Sequence, residues 1–273
     1  MPTTYTHYRF GQDVYKRLPL NIRKSIDEAP ELYNIGIHGP DILFYYHPLS
    51  KNEITQRGNA MHDESAIAFF ERCRGRLKRN FRASKSLAYV LGFMTHFMLD
   101  SECHPFVDEW IEESGVSHLE IEMEFDRMLL LRDDLDPFEY QVTQHIHATS
   151  DNAKEISKFW EGISEKQIKK TLSLMKFYCE LLHCKKPLRT VLNTGLKAAG
   201  QYESLSGLFT SFTPNPKCKE SNERLLELYH NAVQKTADLM IEFYNKLYSR
   251  EPLNPRFDRT YGGIRLEGEN DEI

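Results

Sequence analysis

The stretch "GFMTHFMLDSECHPFVDEW", residues 92 to 110, decides how the chain is read. Phe93, Met94, Phe97, Met98 and Leu99 are core-forming side chains at helical spacing. His96, Asp100 and His104 recur among them at every fourth position, which lines three ionisable groups along one helix face. Burying such a stripe without partners costs a few kcal/mol per polar group, and more for a bare charge. The stripe therefore has partners, either hydrogen-bonding groups in the core or a cation. Pro105 disfavours helical backbone at the residue before it, so this helix is predicted to end at His104.

Outward from that stretch, helical periodicity dominates and alternating β-branched runs are scarce. A first helix begins near Thr6 and ends before Pro19, and "NIRKSIDEAPELYNIG" forms a short helix and turn. "IHGPDILFYYHPLSK", with Gly36 just before it and Gly39, Pro40 and Pro48 inside it, reads as an irregular ordered loop with an apolar centre. Further helices are predicted over 60–80, 83–103, 118–132, 137–148, 151–161, 164–184, 187–200 and 219–249. "SHLE", residues 117 to 120, is a capping box that starts a helix beside His118. The fold class is all-α, a single-domain multi-helix bundle over residues 1–250 whose second half serves as scaffold. Residues 251–273, ending in "GGIRLEGENDEI", read as a polar C-terminal tail.

A formal charge of −5 and a pI near 6.1 supply no basic field for gripping duplex nucleic acid. The uncharged run at residues 86–99 is too short to span a bilayer, so no transmembrane segment is expected. The N-terminus lacks a basic region followed by an apolar one, which predicts no secretory signal and a cytoplasmic location. The five cysteines contain no CxxC pair and read as reduced thiols, with Cys103 a possible ligand or a buried bystander.

Chemistry concentrates in the first half. His118 and Glu122 repeat the i, i+4 design of His96 and Asp100 on the following helix. Imidazole and carboxylate at that spacing can close on one cation, as helical zinc sites do. A lone histidine on an apolar face is commonly a hydrogen-bonded core residue, and a single HxxxE pair a surface contact. Two such pairs on consecutive helices, joined by His104, favour a metal. Upstream, Asp41 follows Gly-Pro in a turn, His62 opens an amphipathic pattern, and His7 stands near the N-terminus. Each has an ordinary alternative: a turn aspartate, a solvent-facing first-turn residue and an exposed terminal histidine. Phe44, Tyr45 and Tyr46 could line a cleft or simply pack in the core, and His38 could contact phosphate or serve a turn.

In order along the chain, "THYRFG", "GPDILFYY", "MH", "GFMTHFMLDSECHPF" and "SHLEIEMEFDRML" resemble the zinc-dependent phospholipase C family over roughly residues 1 to 135. That resemblance implies an all-α fold shared with fungal single-strand nucleases and a cluster of two or three Zn2+ ions in a cleft. It implies that His62, His96, Asp100 and Asp41 serve one zinc, that His104, His118 and Glu122 hold a second, and that His7 helps hold a third with Asp100 bridging. It also makes Asp41 the catalytic candidate that orients or deprotonates the attacking water. Iron or manganese would accept the same ligand types. The chain departs from the secreted members at the N-terminus, where their mature amine is a ligand and this sequence has Met1 and Pro2. The expected activity is phosphodiester hydrolysis on a small phosphoester or phospholipid. A nuclease or nucleotidase on the same fold, and a non-enzymatic metal-stabilised helical binding module, are the alternatives.

Overall fold

A computed structural model describes residues 4–48, 50–79, 84–183, 186–198 and 209–266. Among these the chain is helical throughout, with a single isolated bridge between Arg259 and Arg265 and no strand. In chain order the helices are α1 (Thr4–Arg17), α2 (Leu20–Asp27), α3 (Pro30–Gly36), α4 (Glu53–Asp63), α5 (Ile67–Arg79) and α6 (Ser84–Ser114). They continue as α7 (His118–Arg132), α8 (Ser150–Ser157), α9 (Glu165–Leu182), α10 (Lys186–Ala198) and α11 (Cys218–Lys246). A 3-10 helix spans Gly39–Tyr45 and a short 3-10 turn spans Pro255–Asp258. No helix among the described residues is long and apolar enough to cross a membrane.

The axis of the fold is α6, 31 residues long, with α1, α2, α3 and α11 packed against it. Val90, Leu91, Phe93, Met94 and Phe97 are wholly buried, in a core that runs from Tyr5 to Tyr261. Over residues 86–101 α6 is enclosed on all sides, and there it is apolar almost around its whole circumference, as a central helix must be. Two glycines set the approach of α3. A Cβ on Gly36 would fall 2.3 Å from the Tyr89 carbonyl oxygen, and one on Gly92 would fall 2.2 Å from that of Tyr33. Only paired glycines let these two backbones touch, and their contact holds the following residues, His38 and Gly39, against the middle of α6.

Several sequence expectations change. The helix does not stop at His104: α6 runs through Pro105 for ten further residues. Proline inside a helix removes one hydrogen bond without forcing an end, and packing on both sides of the break compensates for the loss. Residues 137–148 form successive turns rather than a helix. Asp136 closes the first of them, its carboxylate accepting from the Phe138 amide at 2.7 Å and its carbonyl from Tyr140. The β-branched Val142, Thr143 and Ile146 lose side-chain freedom in a helix and here fill the core from a turn. The predicted helix over 60–80 is two helices, α4 and α5, broken at residues 64–66. The expected irregular loop after Gly36 is the ordered 3-10 helix.

The largest correction concerns the polar tail. Residues 251–266 pack into the molecule: Phe257 and Tyr261 are wholly buried, the Ala66 amide donates to the Arg259 carbonyl, and Arg256 pairs with Glu102 at 2.7 Å. The Tyr261 amide reaches the His62 carbonyl at 3.3 Å. The remainder of that expectation, residues 267–273, lies outside the described residues.

Candidate metal centre

Five elements deliver the eight candidate ligand side chains to one place. From α6 come His96, Asp100 and His104, on one face because they stand four residues apart in one unbroken stretch of helix. His118 and Glu122 come from the first turns of α7, whose start is fixed by Ser117 accepting the Glu120 amide at 3.3 Å. The capping box is only half made, since the Glu120 carboxylate turns to Asn215 instead, at 2.8 Å. Asp41 sits in the first turn of the 3-10 helix, where a carboxylate faces the positive end of the backbone dipoles. His62 comes from the last turn of α4 and His7 from the first turns of α1.

Their ligand atoms fall into three groups, each within 4.8 Å of one another: His7, His96 and Asp100; Asp41, His62 and His96; His104, His118 and Glu122. Asp100 is the hub. Its Oδ1 lies 3.2 Å from His7 Nε2 and 3.9 Å from His104 Nε2, and its Oδ2 lies 3.0 Å from His96 Nε2 and 3.9 Å from His62 Nε2. Asp41 Oδ1 is 3.1 Å from His62 Nε2 and 3.8 Å from His96 Nε2. Glu122 Oε1 stands 3.0 Å from His118 Nε2 and 3.5 Å from His104 Nε2.

Two details show that these groups suit a cation and not merely one another. His96 is wholly buried, yet neither of its ring nitrogens makes a hydrogen bond, although its Nε2 lies between two carboxylates. Its nitrogen and the carboxylate oxygens lie within 4.8 Å of one another, a spacing that could accommodate a shared ion. His62 Nδ1 donates to the Gly58 carbonyl at 2.9 Å, so in the neutral ring Nε2 presents a lone pair toward Asp41. A lone pair facing a carboxylate is stable only with a proton or a metal between them.

The electrostatics agree. Burial alone would raise the acids, but the surrounding positive charges, His96 and His62 beside Asp41 and His96, His104 and His7 beside Asp100, hold both below the ordinary carboxylate range. Glu122 is likewise held low, burial being overcome by charges that include His118. The imidazoles move the other way: burial would lower His7 and His62, but Asp100 and Asp41 raise them, and Glu122 raises His118. His96, the most deeply buried, is lowered by desolvation. The ionised acids therefore attract positive charge, which protons supply wherever metal does not.

The weaker sequence candidates stand elsewhere. His38 is buried with its Nε2 2.7 Å from His145 Nε2, in a stack that continues to Tyr8, and burial lowers its pKa. It is a core histidine. Tyr45 is buried with its hydroxyl against Cys179 Sγ at 3.4 Å, and Tyr46 serves the loop through its carbonyl, which accepts from Asn52 and Thr55. Phe44 does reach the centre, its ring 5.3 Å from that of His62. Cys103 is a buried free thiol beside the centre and belongs to none of the three groups. Residues 1–3, where the resemblance places an amine ligand in secreted members, lie outside the described residues.

Two contributors were not singled out from sequence. Asp126 accepts from the amides of Tyr5 at 3.1 Å and Thr6 at 2.7 Å, and from the Thr6 hydroxyl. These are unpaired donors at the start of α1, so a carboxylate from α7 caps the helix that carries His7. A signal existed, because His118, Glu122 and Asp126 continue the four-residue spacing. Tyr261, from the segment read as tail, packs its ring 5.2 Å from His62 and 5.8 Å from His96. Nothing in its local sequence announces that.

Comparison with known proteins supplies one match. A family model described as zinc dependent phospholipase C covers residues 6–178, from α1 into α9 and beyond the 135 residues whose motifs carry the resemblance. No curated protein and no solved structure matches the chain.

Proposed function

The chain belongs to the zinc-dependent phospholipase C family, and from that premise we propose that it is a metal-dependent phosphodiesterase working through a cluster of two or three zinc ions. The observation that carries this reading is the convergence of five imidazoles and three carboxylates, from five separate elements, on one chain of contacts. Asp41, His62, His96 and Asp100 would hold one ion, His104, His118 and Glu122 a second, and His7 with Asp100 a third. When bound, such ions polarise phosphoryl oxygens and acidify water toward neutrality.

The protein's own part follows from position. Asp41 is ionised at neutral pH and can accept a hydrogen bond from the attacking water. Its low pKa makes it a weak base, so its main contribution is to orient that water. Phe44 and Tyr261 pack against the His62 ring and hold its plane, while the Gly58 carbonyl fixes its tautomer. The His118 side chain is 33% exposed, against 0% for His96, so a phosphoester approaches from the α7 end. That open end favours a catalytic over a closed structural metal site, since structural zinc leaves no access. The four cysteines among the described residues are buried and free, which accords with action in a reducing compartment, on a soluble or membrane-surface ester.

The test is hydrolysis of an aryl phosphodiester. Chelation abolishes it and zinc restores it, and parallel assays on phospholipids, nucleotides and single-stranded oligonucleotides identify the substrate class. Full activity in both His96→Ala and His118→Ala variants would refute the reading.

A further inference from the structure

A cavity of about 370 Å³ opens beside α4 and α5, lined by Arg57, Arg72 and Arg76 and walled by the rings of Phe69, Phe159 and Trp160. None of the eight candidate metal ligands lines it. Other cations of α5 are answered locally: Arg74 holds Glu71 at 2.7 Å, Arg79 reaches the Gly75 carbonyl, and Lys78 reaches that of Ser249. Arg57 pairs with Glu64 at 2.9 Å. Arg72 and Arg76 are different. They stand one turn apart on the same helix face, where like charges repel, and among the described residues neither has a hydrogen bond or an ion pair.

We propose that this cavity binds a phosphate monoester. Two guanidinium forks at i, i+4, with a third across from them, offer more planar donors than a carboxylate's two oxygens can use. A phosphate monoester presents three terminal oxygens and up to two negative charges, which fits the donors and relieves their mutual repulsion. The single acid of the lining, Glu161, is exposed, as are Arg72 and Arg76; with Arg57 shared with Glu64, two guanidinium groups face one carboxylate and the cations stay in excess. The rings of Phe69, Phe159 and Trp160 are buried behind the cavity and form its rigid floor, with only their edges within reach of a ligand. Trp160 is fixed there by donating its indole N–H to the Tyr89 hydroxyl at 3.0 Å, so the wall is in place before ligand arrives.

The ester could be a soluble metabolite or the head of a monoester lipid, and the experiment separates them. With Trp110 replaced by Phe, Trp160 is the only tryptophan and reports on the cavity. Inorganic phosphate and phenyl phosphate are expected to change its emission saturably. In the Arg72→Gln/Arg76→Gln variant the midpoint should weaken by about tenfold or more, while Arg72→Lys/Arg76→Lys retains part of the response. The Gln variant should keep its metal content, because neither arginine belongs to the metal centre. Co-sedimentation with phosphatidylcholine vesicles containing phosphatidic acid, but not with phosphatidylcholine alone, would identify a lipid source. Response to the soluble esters alone would identify a soluble one. No saturable response in the parent, or an unchanged midpoint in the Gln variant, overturns the proposal. Joint loss of phosphate response and metal in a folded Gln variant overturns it as a separate site.

Discussion

The buried end of the ligand line, His7, Asp41, His96 and Asp100, is built differently from the open end, His104, His118 and Glu122. The buried end draws on α1, the 3-10 helix and α6, and is closed over by His62 and the Tyr261 ring. His7 and His96 stack with ring centres 4.4 Å apart, and Gly39 lies against the His96 ring. The open end uses only α6 and α7, has one carboxylate for two imidazoles, and leaves His118 a third exposed. At one end packing fixes the ligands before any ion arrives. At the other, two helices hold a site that solvent reaches. Preorganisation and access are thus divided along the line.

Gly39→Ala should break the buried end most severely. Gly39 has φ +51°, and a Cβ there would fall 2.2 Å from His96 Cδ2. Backbone strain and displacement of a packed ring together should cost about 3–5 kcal/mol in denaturant unfolding, with loss of buried-end metal. A stability change near zero would mean that packing does not hold His96 in place. Next come the ligands themselves. His96→Ala should remove the ions of the buried end and lower phosphodiesterase activity by more than about a hundredfold, beyond the range that outer-shell losses reach. His118→Ala should release only the open-end ion, measured by elemental analysis of the two variants side by side. Equal metal loss in both would erase the distinction between the ends.

Asp126→Asn probes the support behind His7. Replacing a buried acceptor that serves the first amides of α1 should cost about 2 kcal/mol. It carries a pH signature as well. Burial pushes Asp126 up to about 6, against the hydrogen bonds from Thr6 and Tyr5 that lower it. The folded state therefore holds this proton more tightly than the unfolded chain. Its contribution to stability falls as pH rises from the ordinary carboxyl range to about 6. His7, His62 and His118 are raised from 6.5, so their protons leave above that window. The difference in unfolding free energy between parent and variant should change across pH 4–6 and level off above it. A flat difference would mean that Asp126 is ionised throughout.

The smallest effect is expected at Ser117→Ala. Loss of this cap should cost about 1 kcal/mol and fray the turn that carries His118, weakening the open-end ion while leaving the buried end filled. Weakening of both ends alike would show that they are one cooperative unit.

What could be read from sequence follows the same division. His96, Asp100 and His104, like His118 and Glu122, were legible because helical spacing is local and repeats every turn. Asp41, His62 and His7 were placed by a family resemblance, since their meeting depends on how α1, α4 and the 3-10 helix pack. The end assigned to α6 at Pro105 failed because a local backbone preference gave way to burial on both sides of the proline. The segment around "RFDRTYGG" looked solvated because it has no periodicity. Single side chains, Phe257 and Tyr261, bury it instead. His38, Tyr45 and Tyr46 stand near Asp41 in sequence, but they are partnered elsewhere, His38 with His145, Tyr45 with Cys179 and Tyr46 with Asn52 and Thr55.

Elemental analysis of the purified protein, paired with chelation, tests the central claim most directly. Two or three equivalents of zinc, with phosphodiester hydrolysis lost on chelation and restored by zinc, is the predicted result. A metal-free protein, or hydrolysis that persists unchanged after all metal is stripped, would contradict it.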